Sequence, residues 1–307
     1  MNYGIIGLGK QGEQHLIALR TLANFDFNLK IFICDIRQKH VDTLSQKFGL
    51  KGFYSCKDML DNIKIDVLIL ALPNDKYKEI LKLEELKNIS LIKEKPLATS
   101  YEEAQFFINL LNSKKVKFNI SQNRFFANHY IIAKKWLDQK KIGKILFFEY
   151  RYVLNDQKES WYWNPKAGGG CWINIGWHFA FLLEWFFGTP KNINVNKLQS
   201  SKRAFQYQTD DTVFVTCSYT NFAGKAYMSV VDSLSEDSLK IVGSLGAILI
   251  SKNNSLLMDN YGNEKEKEKA ENLLSYVYQT KNIFSKNIHN NLLKINLKAM
   301  NIISNNI

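Results

Sequence analysis

Six residues near the start of the chain, Gly7-Leu8-Gly9-Lys10-Gln11-Gly12, have the spacing of a phosphate cradle. They lie between an apolar run, Tyr3 to Ile6, and an amphipathic stretch from about Gln11 to Leu22, so the expected order is strand, glycine turn, helix. In such a turn the first glycine makes the bend and the second lets a pyrophosphate approach the backbone. The third lets helix and strand pack closely, and the helix N-terminus faces the phosphates. A glycine turn alone is weak evidence of a nucleotide. Here Asp35 adds a second element, because it ends the next apolar run, Leu29 to Cys34, where its carboxylate can accept hydrogen bonds from a ribose diol. A carboxylate there repels a 2′-phosphate and favours NAD. Arg37, two residues on, can pair with such a phosphate and keeps NADP admissible.

Two further segments lie at the same kind of place. Pro73-Asn74 closes the buried run Asp66 to Leu72, and Glu94-Lys95-Pro96 follows the short run Leu91 to Lys93. Loops beyond the carboxyl ends of parallel strands hold ligands in open α/β sheets. The expected cofactor contacts are therefore Gly7, Gly9, Lys10, Gln11, Gly12, Asp35, Arg37, Pro73, Asn74, Glu94 and Lys95. Farther on, Gly168-Gly169-Gly170 opens an apolar helix that carries Asn174 and His178. Asn174 and His178 are one helical turn apart and share a face, so both side chains can reach one substrate. Asparagine can hydrogen-bond a hydroxyl or cap a helix, but it cannot take a proton.

The combination resembles the glucose–fructose oxidoreductase / inositol dehydrogenase (Gfo/Idh/MocA) family of NAD(P)-dependent sugar dehydrogenases. The resemblance covers nearly the whole chain. It includes His15 after the glycine turn, Glu94-Lys95-Pro96, Asn123-Arg124-Phe125, the Gly168 to His178 segment and Asp210-Asp211-Thr212. It implies that Lys95 and His178 are catalytic, that Asn174 stands where the family commonly has aspartate, and that the substrate is a sugar. The Asn-Ile-Gly-x-His form is similar to that of UDP-N-acetylglucosaminuronate 3-dehydrogenases, which points to a nucleotide sugar. Arg124, Trp161, Trp163, Asn174 and His178 are the expected substrate contacts; packing is the plainer role for the two tryptophans. The same resemblance admits an NAD-dependent glycoside hydrolase or a non-catalytic NAD- or sugar-sensing regulator. It also implies a homodimer or homotetramer formed through the C-terminal sheet, where Phe214, Val215, Tyr219, Tyr227 and Val230 supply apolar surface.

The elements that must position these residues follow from periodicity. Up to about Ser121, apolar strands alternate with helices, among them Val41 to Phe48 and Tyr101 to Ser113, as a parallel sheet requires. Beyond it, a helix from about Asn128 to Gln139 leads to the strands Lys144–Leu154, Ile193–Leu198, Thr212–Tyr219, Lys225–Val231, Leu239–Val242 and Ala247–Ser251, with few helices between them. The expected fold is α/β: residues 1–121 form a Rossmann dinucleotide-binding domain. Residues 122–307 form an α+β domain with an open, mainly antiparallel sheet for substrate and oligomerisation. The tail from Glu264 has helical apolar spacing.

With 307 residues, two domains are expected. The net charge is +12, but only five of the 41 basic residues are arginine, the side chain that reads base edges best. An anionic substrate is a better use of the charge than nucleic acid. The opening residues have no basic segment followed by a long apolar run, so a cytoplasmic protein without a membrane span is expected. The four cysteines (Cys34, Cys56, Cys171 and Cys217) have no metal or redox spacing, and no histidine–carboxylate spacing suggests a metal.

Overall fold

Apolar segments short enough for buried strands build the first sheet; the first is closed by Gly7 and others by polar residues such as Asp35, Glu94 and Ser121. The computed structural model describes residues 1–154, 160–164 and 167–307. Its backbone contacts divide the chain into two units, Met1–Asn123 with Leu273–Lys294, and Arg124–Asn272 with Ile295–Ile307. The tail, expected entirely in the second domain, is therefore shared between the two.

The first unit runs β1 (Asn2–Ile6), α1 (Lys10–Ala23), β2 (Lys30–Cys34), α2 (Gln38–Phe48), β3 (Lys51–Phe53), α3 (Cys56–Asn62), β4 (Val67–Leu70), α4 (Tyr77–Leu81), β5 (Ser90–Lys93), α5 (Tyr101–Ser113) and β6 (Lys117–Ile120). Its six strands are parallel in the order β3-β2-β1-β4-β5-β6. The order reverses at β1, so the crevice beyond the carboxyl ends of β1 and β4 is the topological switch point. Ile5, Ile33, Leu68, Ile69, Leu91 and Ile92 are buried, as near-continuous apolar runs in a sheet covered on both faces must be.

The second unit contains α6 (Asn128–Asp138), β7 (Ile145–Val153), α7 (Cys171–Asn174), α8 (Gly176–Phe186), β8 (Asn192–Leu198), α9 (Lys202–Tyr207), β9 (Thr212–Ser218), β10 (Ala223–Ser229), β11 (Glu236–Gly243), β12 (Gly246–Ser251), β13 (Asn254–Asp259) and β14 (Glu264–Lys269). The tail adds α10 (Asn272–Asn282) and α11 (Lys286–Ser304). The eight strands lie in the order β14-β13-β12-β11-β7-β10-β9-β8, antiparallel except where β7 meets β10. Side chains alternate across it: Phe148, Tyr150, Val213, Val215, Ala226 and Met228 are buried, whereas Phe147 and Phe214 are exposed. Tyr150 stacks on Phe179 of α8, with ring centroids 5.4 Å apart, which identifies the covered face.

Two expectations change. The tail is not helical from its start: Glu264–Lys269 is a strand whose alternating glutamates and lysines pair with β13, its side chains largely exposed. Among the residues expected to supply an apolar outer face, Val215 and Val230 are each only 1% exposed and belong to the core. Among the described residues, no helix is long and apolar enough to cross a membrane.

Candidate active site

The three cradle glycines are required for different reasons. Gly7 has φ +88°, and a methyl group there would lie 2.2 Å from the carbonyl oxygen of Ala71. A methyl on Gly12 would lie 1.9 Å from the carbonyl oxygen of Gly7. At Gly9 a methyl would meet no protein atom within 4 Å. The protein itself thus demands glycine at the first and third positions, and the second is left open to a ligand. Gly9 is also the N-cap of α1 and offers no capping side chain, so the first N–H groups of the helix remain available to an anion. Lys10 and Gln11 are exposed beside it. This arrangement fits a dinucleotide: Gly7 to Gly12 would hold the pyrophosphate.

Asp35 is only 7% exposed at the end of β2. One carboxylate oxygen accepts a hydrogen bond from Leu8 N–H (2.7 Å) and Arg37 Nη2 (2.8 Å). The other accepts from the N–H and Nε of Arg37, each at 3.0 Å. Burial alone would raise the carboxyl's pKa, but the hydrogen bonds from Arg37 and Leu8 bring it down to about 2. The two residues expected to act on the ribose in opposite senses are thus bound to each other.

Pro73 precedes a short turn, Asn74–Lys76, in which Asn74 is buried. Glu94 follows β5, and its carboxylate is directed inward. Oε1 lies 2.8 Å from Nε2 of the buried His15, and Oε2 accepts from Lys95 N–H at 3.2 Å. Burial pushes the Glu94 pKa up; His15 and Ser121 outweigh that and hold it below the ordinary value. Lys95 is half-buried, and the Lys95–Pro96 peptide bond is cis.

In the second unit, Gly170 has φ +104°, and a methyl there would lie 2.6 Å from Asp210 Oδ1. Asp210 starts α7: its carbonyl accepts from Cys171 N–H (2.9 Å) and its carboxylate from Trp172 N–H (2.5 Å). The expected continuous helix is interrupted. Asn174, 5% exposed, closes α7, and the N–H of His178 bonds the carbonyl of Ile175 at 3.0 Å. The Trp172 indole packs against Gly176, where a methyl group would lie 2.4 Å from its Cε3. Asn174 therefore caps neither helix start. His178 is half-buried, its ring edge-on to Tyr152 at 5.5 Å between centroids.

Arg124 is 7% exposed and already engaged. It donates to Tyr150 Oη (2.9 Å) and Asp237 Oδ2 (2.7 Å), and its guanidinium lies 4.7 Å over the Tyr152 ring. Arg124, Tyr152 and His178 are therefore in series, the guanidinium over the Tyr152 ring and the His178 ring edge-on to it. Burial raises the Asp237 pKa against the pull of Arg124. Trp163 is 2% exposed, in keeping with packing. The side chain of Trp161 lies outside the described residues.

Four residues escape sequence reading: Asp237, which binds Arg124; Tyr276, which donates to Gln11; Gln279, which bonds Gln122 and Ser121; and the fully buried Lys93. The first three meet their partners across long stretches of chain, with no local signal. Lys93 does have one, a lysine ending an otherwise apolar buried strand.

Residues 1–122 match the oxidoreductase family's NAD-binding Rossmann fold, and residues 130–249 match the GFO/IDH/MocA C-terminal domain. An uncharacterized oxidoreductase of Schizosaccharomyces pombe is 27% identical over 57% of this chain and 48% of its own length. A second from that yeast is 24% identical over 60% and 50%, so the chain's matches span about half of these relatives. Glucose-6-phosphate 3-dehydrogenase of Bacillus subtilis is 25% identical over 78% of this chain and 71% of that one. Among solved structures, the WlbA dehydrogenase from Bordetella pertussis in complex with NADH and UDP-GlcNAcA has TM-score 0.78 at 19% identity, covering 99% of this chain and 94% of that chain. Levoglucosan dehydrogenase in complex with NADH and L-sorbose has TM-score 0.80 at 16% identity, covering 99% and 96%. At such identities these likenesses establish the fold.

Proposed function

The chain belongs to the GFO/IDH/MocA oxidoreductase family, and we propose that it is an NAD-dependent dehydrogenase acting on a secondary hydroxyl of a sugar or nucleotide sugar, or on the matching ketone. The observation that carries the reading is Gly9, open to a ligand between two glycines that the protein itself requires. Gly7 to Gly12 hold the pyrophosphate, and Asp35 accepts from the ribose diol once Arg37 yields. Pro73, Asn74 and the Glu94–Lys95 turn complete the cofactor contacts. Bound there, NAD supplies a hydride acceptor at nicotinamide C4.

His178 takes the hydroxyl proton as general base, and Lys95 donates a hydrogen bond to the substrate, stabilising charge as the proton leaves. In the reverse direction His178 returns the proton. These two roles rest on the motifs Glu94-Lys95-Pro96 and Gly168 to His178. Asn174 contributes a hydrogen bond to a substrate hydroxyl. The likeness of its motif to UDP-N-acetylglucosaminuronate 3-dehydrogenases, and the WlbA structure bound to UDP-GlcNAcA, favour a nucleotide sugar. Arg124 acts through Tyr152 to orient His178 rather than by gripping an anion, since both its terminal nitrogens are already engaged.

The test is NADH fluorescence during turnover of a panel of UDP-sugars, hexoses and inositols. Lys95→Met and His178→Ala should each lower turnover by about two orders of magnitude while NADH still binds. Gly9→Val should weaken NAD binding at least about tenfold with little change in melting temperature, because a Cβ at this position meets no protein atom within 4 Å. Glycoside cleavage without net NADH, or NAD binding without turnover of any of these sugars, would reject the dehydrogenase reading.

A further inference from the structure

Lysine is a costly residue to bury, yet Lys93 is fully buried at the end of β5. Its stem continues the apolar strand, and its ammonium is used completely by local partners. Nζ donates to the carbonyl of Glu94 at 3.1 Å and to the carbonyl of Pro96 at 2.6 Å. It also lies 3.6 Å from the centroid of the Tyr77 ring. Tyr77, at the start of α4, is 1% exposed. Its hydroxyl accepts from Leu72 N–H at 3.1 Å and donates to the carbonyl of Leu70 at 3.3 Å.

We propose that Lys93 and Tyr77 form a buried clamp that fixes the Lys95 turn against the loop after β4, making Lys93 a positioning residue for Lys95. The two carbonyls that Nζ grips flank Lys95 on either side, so the backbone of the residue between them is held at both ends. The tyrosine carries that hold to Leu70 and Leu72, next to Pro73 and Asn74. One ammonium thus fixes the separation of two loops assigned to cofactor and substrate.

The charges around Nζ suit this role. Glu103 from α5 and Glu94 beside the turn favour the ammonium, and Lys95 opposes it. Burial dominates and brings the pKa down to about 7. Loss of the proton removes the cation from the ring and weakens the clamp, so its grip declines as pH rises through neutrality.

The inference rests on the reading of Lys95 as a substrate contact, and three variants separate the two. Lys93→Met keeps the stem and removes every donor; kcat should fall about tenfold or more while KM for the sugar and Kd for NADH change less than about threefold. The wild type should lose kcat above about pH 7, and the variant should be flat through that range. Unchanged kcat and an unchanged pH profile in folded Lys93→Met would overturn the clamp. Lys95→Met is the control: if it alone leaves kcat intact, the Lys95 reading fails and the clamp as its positioning device falls with it. If Lys93→Met gives no cooperative melt, Tyr77→Phe removes a single oxygen and carries the test. A severalfold fall in kcat at constant KM would then support the clamp, and wild-type kcat would overturn it.

Discussion

The pairing of Asp35 with Arg37 changes what cofactor preference means at the level of single residues. A carboxylate with a pKa near 2 is fully charged throughout the physiological range, so it repels a 2′-phosphate at every relevant pH. Arg37 is 57% exposed and bound to that carboxylate, so its pull toward a phosphate is partly spent before any ligand arrives. Replacing the aspartate removes the repulsion and releases the arginine together. Asp35→Ser should therefore shift the NAD-to-NADP ratio of kcat/KM by more than the loss of one ribose hydrogen bond, by about two orders of magnitude or more. Arg37→Ala alone should leave NAD strongly preferred. Steady-state kinetics with both cofactors decides it; equal discrimination by Asp35→Ser and wild type would remove Asp35 from cofactor selection.

Secondary-structure elements bring remote residues to the site. Gln279 of α10 is fully buried; its Oε1 accepts from Gln122 N–H at 2.7 Å and its Nε2 donates to Ser121 Oγ at 2.9 Å. Tyr276, one turn earlier, donates to Gln11 Oε1 at 2.9 Å and lies edge-on to His15, with ring centroids 5.2 Å apart. Gln279→Ala would leave a buried backbone N–H without its acceptor and should cost about 2 kcal/mol in denaturant unfolding, with weaker NADH binding. Loss below about 0.5 kcal/mol would show that α10 is only loosely docked. None of this was legible in the sequence, because the tail's periodicity marks a helix but not what the helix docks on. The cradle, Asp35 and the alternating elements were legible, since turn chemistry and periodicity are local. β14 was misread because an alternating Glu-Lys strand at a sheet edge buries nothing and has no apolar pattern. The break at Ile175 escaped because no proline marks it in the sequence. That break matters for Asn174: an aspartate there would favour the imidazolium of His178 only if the tightened turn keeps the two side chains close. Asn174→Asp should move the acid limb of the kcat/KM profile upward in pH; an unmoved limb would mean that the positions are uncoupled.

At the scale of the whole molecule, the open face of the second sheet remains to be accounted for. Phe147 is 41% and Phe214 46% exposed, and Phe214 meets Tyr227 across β9 and β10 at 5.0 Å between centroids. Arg151 lies 5.1 Å over the same Tyr227 ring and pairs with Glu236, and Lys225 faces Glu149 at 3.5 Å. Of these, Phe214, Tyr227, Arg151, Glu149 and Lys225 line one shallow concavity, which thus holds aromatic rings and charges of both signs. A single-sign patch would repel its own copy, whereas an alternating one can match itself across a two-fold axis, cation to anion and ring to ring. Aromatic residues and arginine are also the side chains enriched at such contacts. The surface that Val215 and Val230 would have added is used internally, so the contact relies on Phe214, Tyr227 and the paired charges. Proposed on that basis is a homodimer through this sheet, or a tetramer built from such dimers. Light scattering at micromolar concentration should return at least twice the mass of the 35.6 kDa chain. Phe214→Lys should shift the mass toward the monomer, because it sets a cation opposite its own symmetry mate and removes an aromatic anchor. Phe214 lies on the face away from α8, so NADH binding by the dissociated variant should survive. A wild-type monomer, or a Phe214→Lys variant with undiminished mass, would rule this face out as the interface.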